Sequence, residues 1–199
     1  MSEHHSEAGG TPALDRRLML LGLVAVPAAA SATIEHPIDR FPSFNANKKT
    51  RDQKIDELLD REEIKELIAR YAHRTAQGVS VADMFTDDGV FTVRYPGRPP
   101  SVSRGRAQLN KTYANVTIAG DHPLPMIHNQ LIVIDGDQAT GLCSNELRWR
   151  EGNDSMIGSG YYQDSFRREA SVWRFVSRDM TFIHWVPIQQ GWVKSQINP

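Results

Sequence analysis

The chain is 199 residues long, with 40% hydrophobic residues, 24% charged residues and a net charge of −1. This is a globular balance with room for one domain plus appendages. No basic stripe dominates any segment, so electrostatics give no reason to expect nucleic acid as a partner. The one cysteine, Cys143, excludes an intramolecular disulfide; within "TGLCSNEL" it reads as a small buried hydrophobe on a strand.

In chain order, Arg16 and Arg17 precede an apolar run from Leu18 to Ala30, and Ala30-Ser31-Ala32 follows. That is the three-part pattern of a secretory signal, with cleavage expected after Ala32. The run is short for a transmembrane helix. The paired arginines before Leu-Met-Leu resemble a twin-arginine signal, although Asp15 and Met19 replace its usual Ser or Thr and Phe. The expectation is export to a bacterial periplasm, or membrane tethering where the signal stays uncleaved. Residues 1–32 are thus assigned to the signal and 33–52, with two prolines, to a linker or surface arm. Residues 53–190 form the expected folded domain and 191–199 a tail.

Ile55, Leu58 and Leu59, then Ile64, Leu67, Ile68, Tyr71, Ala72 and Thr75, recur at helical spacing. Asp60 with Glu63 predicts a capping box that starts a second helix after a short break. Gly78 is the expected stop, and Ser80 the expected cap of a short helix through "VADMF". Asp87 and Asp88 in "FTDDG" are expected to turn the chain before a strand, "VFTVRY", which ends at the turn "PGRPP". "RGRAQLNKTYANV" reads as another helix. Four strands follow: "MIHNQLIVI", "QATGLCSNELRWR", "SMIGSGYYQDSFRRE" and "VWRFVSRDMTFIHWVP". The order predicts an α+β fold, a cone in which a curved antiparallel sheet wraps around N-terminal helices and encloses a pocket.

"REEIKELIARYAHRTAQG", "FTDDGVF", "RGRAQL", "IHNQLIVIDGDQATG" and "GSGYYQDSFRREASVWRFVSRDMTF" together resemble the SnoaL-like branch of the nuclear-transport-factor-2-like superfamily, over residues 54–186. The branch includes polyketide cyclases, scytalone dehydratase, bile-acid 7α-dehydratase and hexachlorocyclohexane dehydrochlorinase. The resemblance implies the cone fold, general acid–base chemistry without a cofactor, and a homo-oligomer, dimer or trimer. It also matches Tyr71 to a functional tyrosine of the dehydratase members. The Asp that usually follows five residues later is replaced by Ala76, and Pro125 stands at the usual His position, with His128 three residues on.

Removing a proton beside a carbonyl needs a base tuned near neutral pH and a donor for the developing oxygen charge. Tyr71 is the expected donor and His128 the expected base. Asn129, Glu146, His184 and His122 are the further candidates for the pocket lining. Strand alternation forbids His128 and Asn129 from both pointing inward without a bulge. No His-x-His or His-Glu-x-x-His spacing, cysteine cluster, Gly-rich phosphate loop or Gly-x-Ser-x-Gly elbow occurs, so neither metal nor cofactor is expected. The first functional expectation is a cofactor-independent lyase or isomerase acting on a hydrophobic polycyclic, steroid-like or terpenoid-like molecule. The second is a non-catalytic small-molecule-binding or dimerisation protein of the same fold. What separates them is whether a histidine or carboxylate shares the cavity with the Tyr71 hydroxyl.

Overall fold

Thr50 starts the main helix, α1 (Arg51–Ala76). Its hydroxyl accepts the Gln53 N–H at 3.3 Å while the Gln53 side chain accepts the Thr50 N–H at 3.0 Å, so two orphan donors are satisfied reciprocally. The computed structural model describes residues 37–41, 49–118 and 122–191. The expected signal, residues 1–32, lies outside the described residues, as do parts of the expected arm and tail.

The helix runs through the break expected at Asp60–Glu63. No Gly or Pro interrupts it, and tertiary partners claim the Asp60 carboxylate: it pairs with Arg168 and accepts the Trp173 indole N–H at 3.1 Å. Ile64, Ile68, Tyr71 and Thr75 form its buried stripe, while Ile55, Leu58 and Leu59 stay exposed. After the helix the chain turns at Gly78, whose φ of 70° suits glycine and whose missing side chain leaves room for the His122 ring. Ser80 accepts the Ala82 N–H at 3.4 Å, and a single 3₁₀ turn follows at Ala82–Met84.

Strand β1 (Phe85–Arg94) begins earlier than expected. Asp87 and Asp88 lie inside it, where their exposed carboxylates take Arg106 at 2.9 Å and Arg167 at 3.3 Å rather than turning the chain. The "PGRPP" turn leads to a short antiparallel partner, β2 (Ser101–Arg104), which four residues of alternation were too few to reveal. Helix α2 (Gly105–Ile118) follows, then β3 (Leu124–Asp135), β4 (Gln138–Glu151), β5 (Asp154–Glu169) and β6 (Val172–Pro187).

The curved sheet has the order β2-β1-β6-β5-β4-β3. The last four strands form the expected antiparallel meander. β1, however, joins β6 in parallel, so the sheet is mixed rather than wholly antiparallel. Alternation in a sequence reports which face a side chain takes, and it is silent on the direction of the neighbouring strand. α1 lies against β3 and α2 against β1, and the buried rings of Tyr71, Tyr113, Phe85 and Phe175 meet between the helices and the sheet.

Candidate functional site

Between the two helices and the sheet lies a cavity of about 240 Å³. α1 supplies Tyr71 and Thr75 to its wall, and α2 supplies Thr112 and Tyr113. The sheet supplies Phe91, Val93, Leu147, Trp149, Tyr162 and Met180, and Pro123 and Pro125 close one side. The helical spacing of Tyr71 and Thr75 puts both on one face, and the alternation of β4 to β6 sends Leu147, Tyr162 and Met180 inward.

The Tyr71 and Tyr113 hydroxyls share a hydrogen bond of 3.2 Å with their rings edge-on. Tyr162 stands edge-on to Tyr71 at 6.3 Å. Burial raises the pKa of Tyr71, against the opposing charge of Arg178, and raises Tyr113 and Tyr162 well above the usual phenol value. All three are therefore neutral hydroxyls at physiological pH, hydrogen-bond donors rather than bases.

One layer below the wall sits a buried ion pair. Arg178 on β6 and Asp164 on β5 are cross-strand neighbours with Nε and Oδ1 3.6 Å apart, and both side chains are fully buried. The Arg178 guanidinium lies 4.1 Å from the Tyr71 ring centroid, 3.8 Å from that of Tyr162 and 4.7 Å from that of Phe175. Its nitrogens and both Asp164 oxygens have no hydrogen-bond partner, so aromatic faces and the opposite charge are what hold the cation. Burial lifts Asp164 to about 6 although Arg178 pulls it down. Burial works against the Arg178 charge too, but the Asp164 carboxylate outweighs it and the guanidinium stays protonated. Cys143, beside them on β4, is pushed up by burial to about 12 and carries an inert thiol.

The expected site residues fall in different places. Tyr71 is in the cavity wall. His128 is exposed and lines an outer groove between α1 and β3, together with His73, Ala76 and Pro125. A register shift does occur here, with Asn129 at φ 53°, yet it turns neither residue inward: Asn129 is exposed too and reaches Ser144 on β4 at 3.4 Å. Glu146 takes the opposite face of β4 from buried Asn145, and its nearest charge is Arg148 at 3.9 Å. His184, half-buried on β6 opposite Ser159, is not part of the wall. His122 precedes wall residue Pro123 and packs its ring on Gly78.

Thus, among the described residues, none of the expected bases is part of the wall that holds Tyr71. At the expected His position the wall carries Pro125, and beside the expected Asp position it carries Thr75. The residues that sequence reasoning passed over are Thr75, Tyr113, Tyr162, Asp164 and Arg178. A signal existed for Asp164, which shares the apolar parity of Tyr162 and Phe166 on β5. For Arg178 it was hidden, because the register shift beside Phe166 and Phe175 moves β6 from an odd to an even inward parity. Among the described residues, no three His, Cys, Asp or Glu side chains gather as a metal ion would need.

Residues 56–179 match the family model of the SnoaL-like domain. No curated protein is significantly similar to the chain. Among solved structures, a protein of unknown function from Mycobacterium tuberculosis is 25% identical, with a TM-score of 0.56 over 64% of this chain and 73% of its own. LinA is 19% identical, with a TM-score of 0.60 over 73% of this chain and 98% of its own. An NTF2-like protein with a cystatin-like fold from Novosphingobium aromaticivorans is 21% identical, with a TM-score of 0.52 over 75% of this chain and 99% of its own. These likenesses establish a shared fold.

Proposed function

Because the chain belongs to the SnoaL-like domain family and its cone encloses a tyrosine-walled cavity, we propose that it binds a compact, largely apolar small molecule through an oxygen atom of that molecule. The observation that carries this reading is the Tyr71–Tyr113 pair. One hydroxyl donates to the other, which leaves one phenol proton for a ligand carbonyl or hydroxyl. At about 240 Å³ the cavity lies just below the roughly 300–1,000 Å³ usual for drug-sized ligands. It suits one or two rings better than a four-ring steroid.

Among the described residues, no histidine, aspartate or glutamate is part of the cavity wall. That favours binding without turnover over the lyase or isomerase role that the family resemblance implies. One observation keeps the second reading in play. Asp164, with a pKa near 6, pairs with a guanidinium that lies against the rings of Tyr71 and Tyr162, so an acid–base group stands directly behind the donors.

Calorimetric titration with 1-tetralone, a bicyclic ketone, tests the first reading. Wild type should bind it, and Tyr71→Phe or Tyr113→Phe should weaken binding by roughly 3- to 10-fold, the value of one neutral hydrogen bond. Unchanged affinity in both variants rejects the proposal. Exchange of the α-protons of 1-tetralone in D₂O, accelerated by wild type and lost in Asp164→Asn, would instead establish proton-transfer chemistry.

The reading includes a periplasmic location, supported by Arg16-Arg17, the apolar run and Ala30-Ser31-Ala32. A mature N-terminus at Thr33 in the periplasmic fraction tests it. It also includes a homo-oligomer, supported by exposed Leu131 and Ile38, which line one outer groove with Leu142 and Tyr161.

A further inference from the structure

Arg178 and Asp164 are fully buried, and neither the guanidinium nitrogens nor the carboxylate oxygens have a hydrogen-bond partner. Apolar side chains of similar volume would serve stability as well or better. What the pair adds is a fixed charge, so its use lies in what that charge acts on. The guanidinium lies 4.1 Å from the Tyr71 ring centroid and 3.8 Å from that of Tyr162, and both tyrosines belong to the cavity wall.

A cation against the face of a phenol draws electron density from the ring. The hydroxyl on that ring becomes a stronger donor, as hydrogen bonds do when positive charge assists them. Burial is the largest influence on the Tyr71 phenol; after it, the Arg178 charge acts more strongly than the opposing Asp164 charge. Tyr71 shares its 3.2 Å hydrogen bond with Tyr113, so the charge acts on the hydroxyl pair that meets the ligand oxygen. We propose that Arg178 is a positioning residue that sets the donor strength of Tyr71, with Asp164 as the counter-charge that moderates it. This rests on the binding reading above.

The test follows 1-tetralone by calorimetry and by the infrared carbonyl stretch of the bound ketone, which falls as its hydrogen bond strengthens. Asp164→Asn keeps the cation and removes the counter-charge. It should bind roughly 3-fold tighter and lower the stretch. Asp164→Leu combined with Arg178→Met removes both charges, and should bind roughly 3- to 5-fold more weakly and raise the stretch. Adding Tyr71→Phe should erase the difference between these backgrounds. In wild type, affinity should rise as pH falls through about 6, where Asp164 takes up its proton; Asp164→Asn should not follow. Tyr71 on α1, Tyr113 on α2, Cys143 on β4 and Tyr162 on β5 also face the guanidinium, and burial keeps them neutral over that range. Asp179, the other carboxylate acting on Asp164, is paired with Arg94 at 2.7 Å.

Equal affinity and equal stretch in all three backgrounds overturn the inference, and a Tyr71→Phe loss in that case leaves the binding reading standing. Shifts of the same sign in both charge variants mark the pair as structural support and also overturn it. So does unchanged affinity in Tyr71→Phe. If the charge variants fail to fold, the wild-type pH profile decides, and a flat profile overturns the inference. A wild type that does not bind 1-tetralone removes the binding reading and the inference together.

Discussion

At the scale of single residues, Arg178 and Asp164 are costly groups to bury. Neither makes a hydrogen bond, and both are fully buried. Three aromatic rings within 5 Å of the guanidinium, each contributing roughly 0.5–2 kcal/mol when desolvated, offset part of that cost. Asp164 has no such help, and its pKa rises from 3.8 to about 6 because burial disfavours the charged form. Between those values the folded protein holds a proton that the unfolded chain has released. Stability from this group is therefore present at acid pH and is lost as pH rises through 4 to 6, by about 3 kcal/mol in all. Asp164→Asn fixes the neutral form. Its Tm relative to wild type should climb between pH 4 and 6 and level off above 7, while the titrations of other carboxylates cancel in the difference. Parallel Tm curves across that range would show that Asp164 ionises normally. The pair was not singled out from sequence, because a buried charge looks like a surface charge until its strand parity is known. Tyr71 was legible only through the family resemblance, and the outward position of His128 was not, because a register shift in the middle of β3 is not written in residue types.

At the scale of elements, α2 and the four long strands were readable, since each carries a long run of helical or alternating spacing. Three things were not. The β2 strand is too short to show a period, and the parallel joining of β1 to β6 is a long-range choice made by packing. The uninterrupted α1 belongs with these: Asp60 and Glu63 match a capping box locally, but the contacts of Asp60 with Arg168 and Trp173 are satisfied only if the helix continues. The β5–β6 pairing has its own weak point at Gly160, beside a register shift. A Cβ there would collide with the Thr181 carbonyl oxygen, which is backbone and cannot rotate away. Gly160→Ala should therefore cost about 3 kcal/mol or more in urea unfolding, at the upper end of overpacking. Gly152→Ala is the control. It sits in a turn at φ 61° with no neighbour within 4 Å, and should cost only about 1 kcal/mol through backbone strain. Equal losses in the two variants would mean that β5 and β6 do not approach as closely as the structure places them.

At the scale of the molecule, the cone trades core volume for a cavity, and the two uses of that space should compete. A ligand that binds only the folded state stabilises it by RT ln(1 + [L]/Kd), about 2.7 kcal/mol at one hundred times Kd. For a domain of this size that is a Tm rise of about 5–10 °C. Val93 is half-buried in the wall. Replacing it with Phe would place new ring atoms into space now free, so the added apolar burial is not opposed by a packed neighbour. Val93→Phe should hold or raise the Tm of the ligand-free protein and abolish the further rise with 1-tetralone. The Tyr71–Tyr113 hydroxyls are untouched by that change, so the loss would follow from volume alone. If 1-tetralone still raised the Tm of Val93→Phe as much as that of wild type, the ligand would be binding outside the cone, and the outer groove beside His73 and His128 would become the place to look.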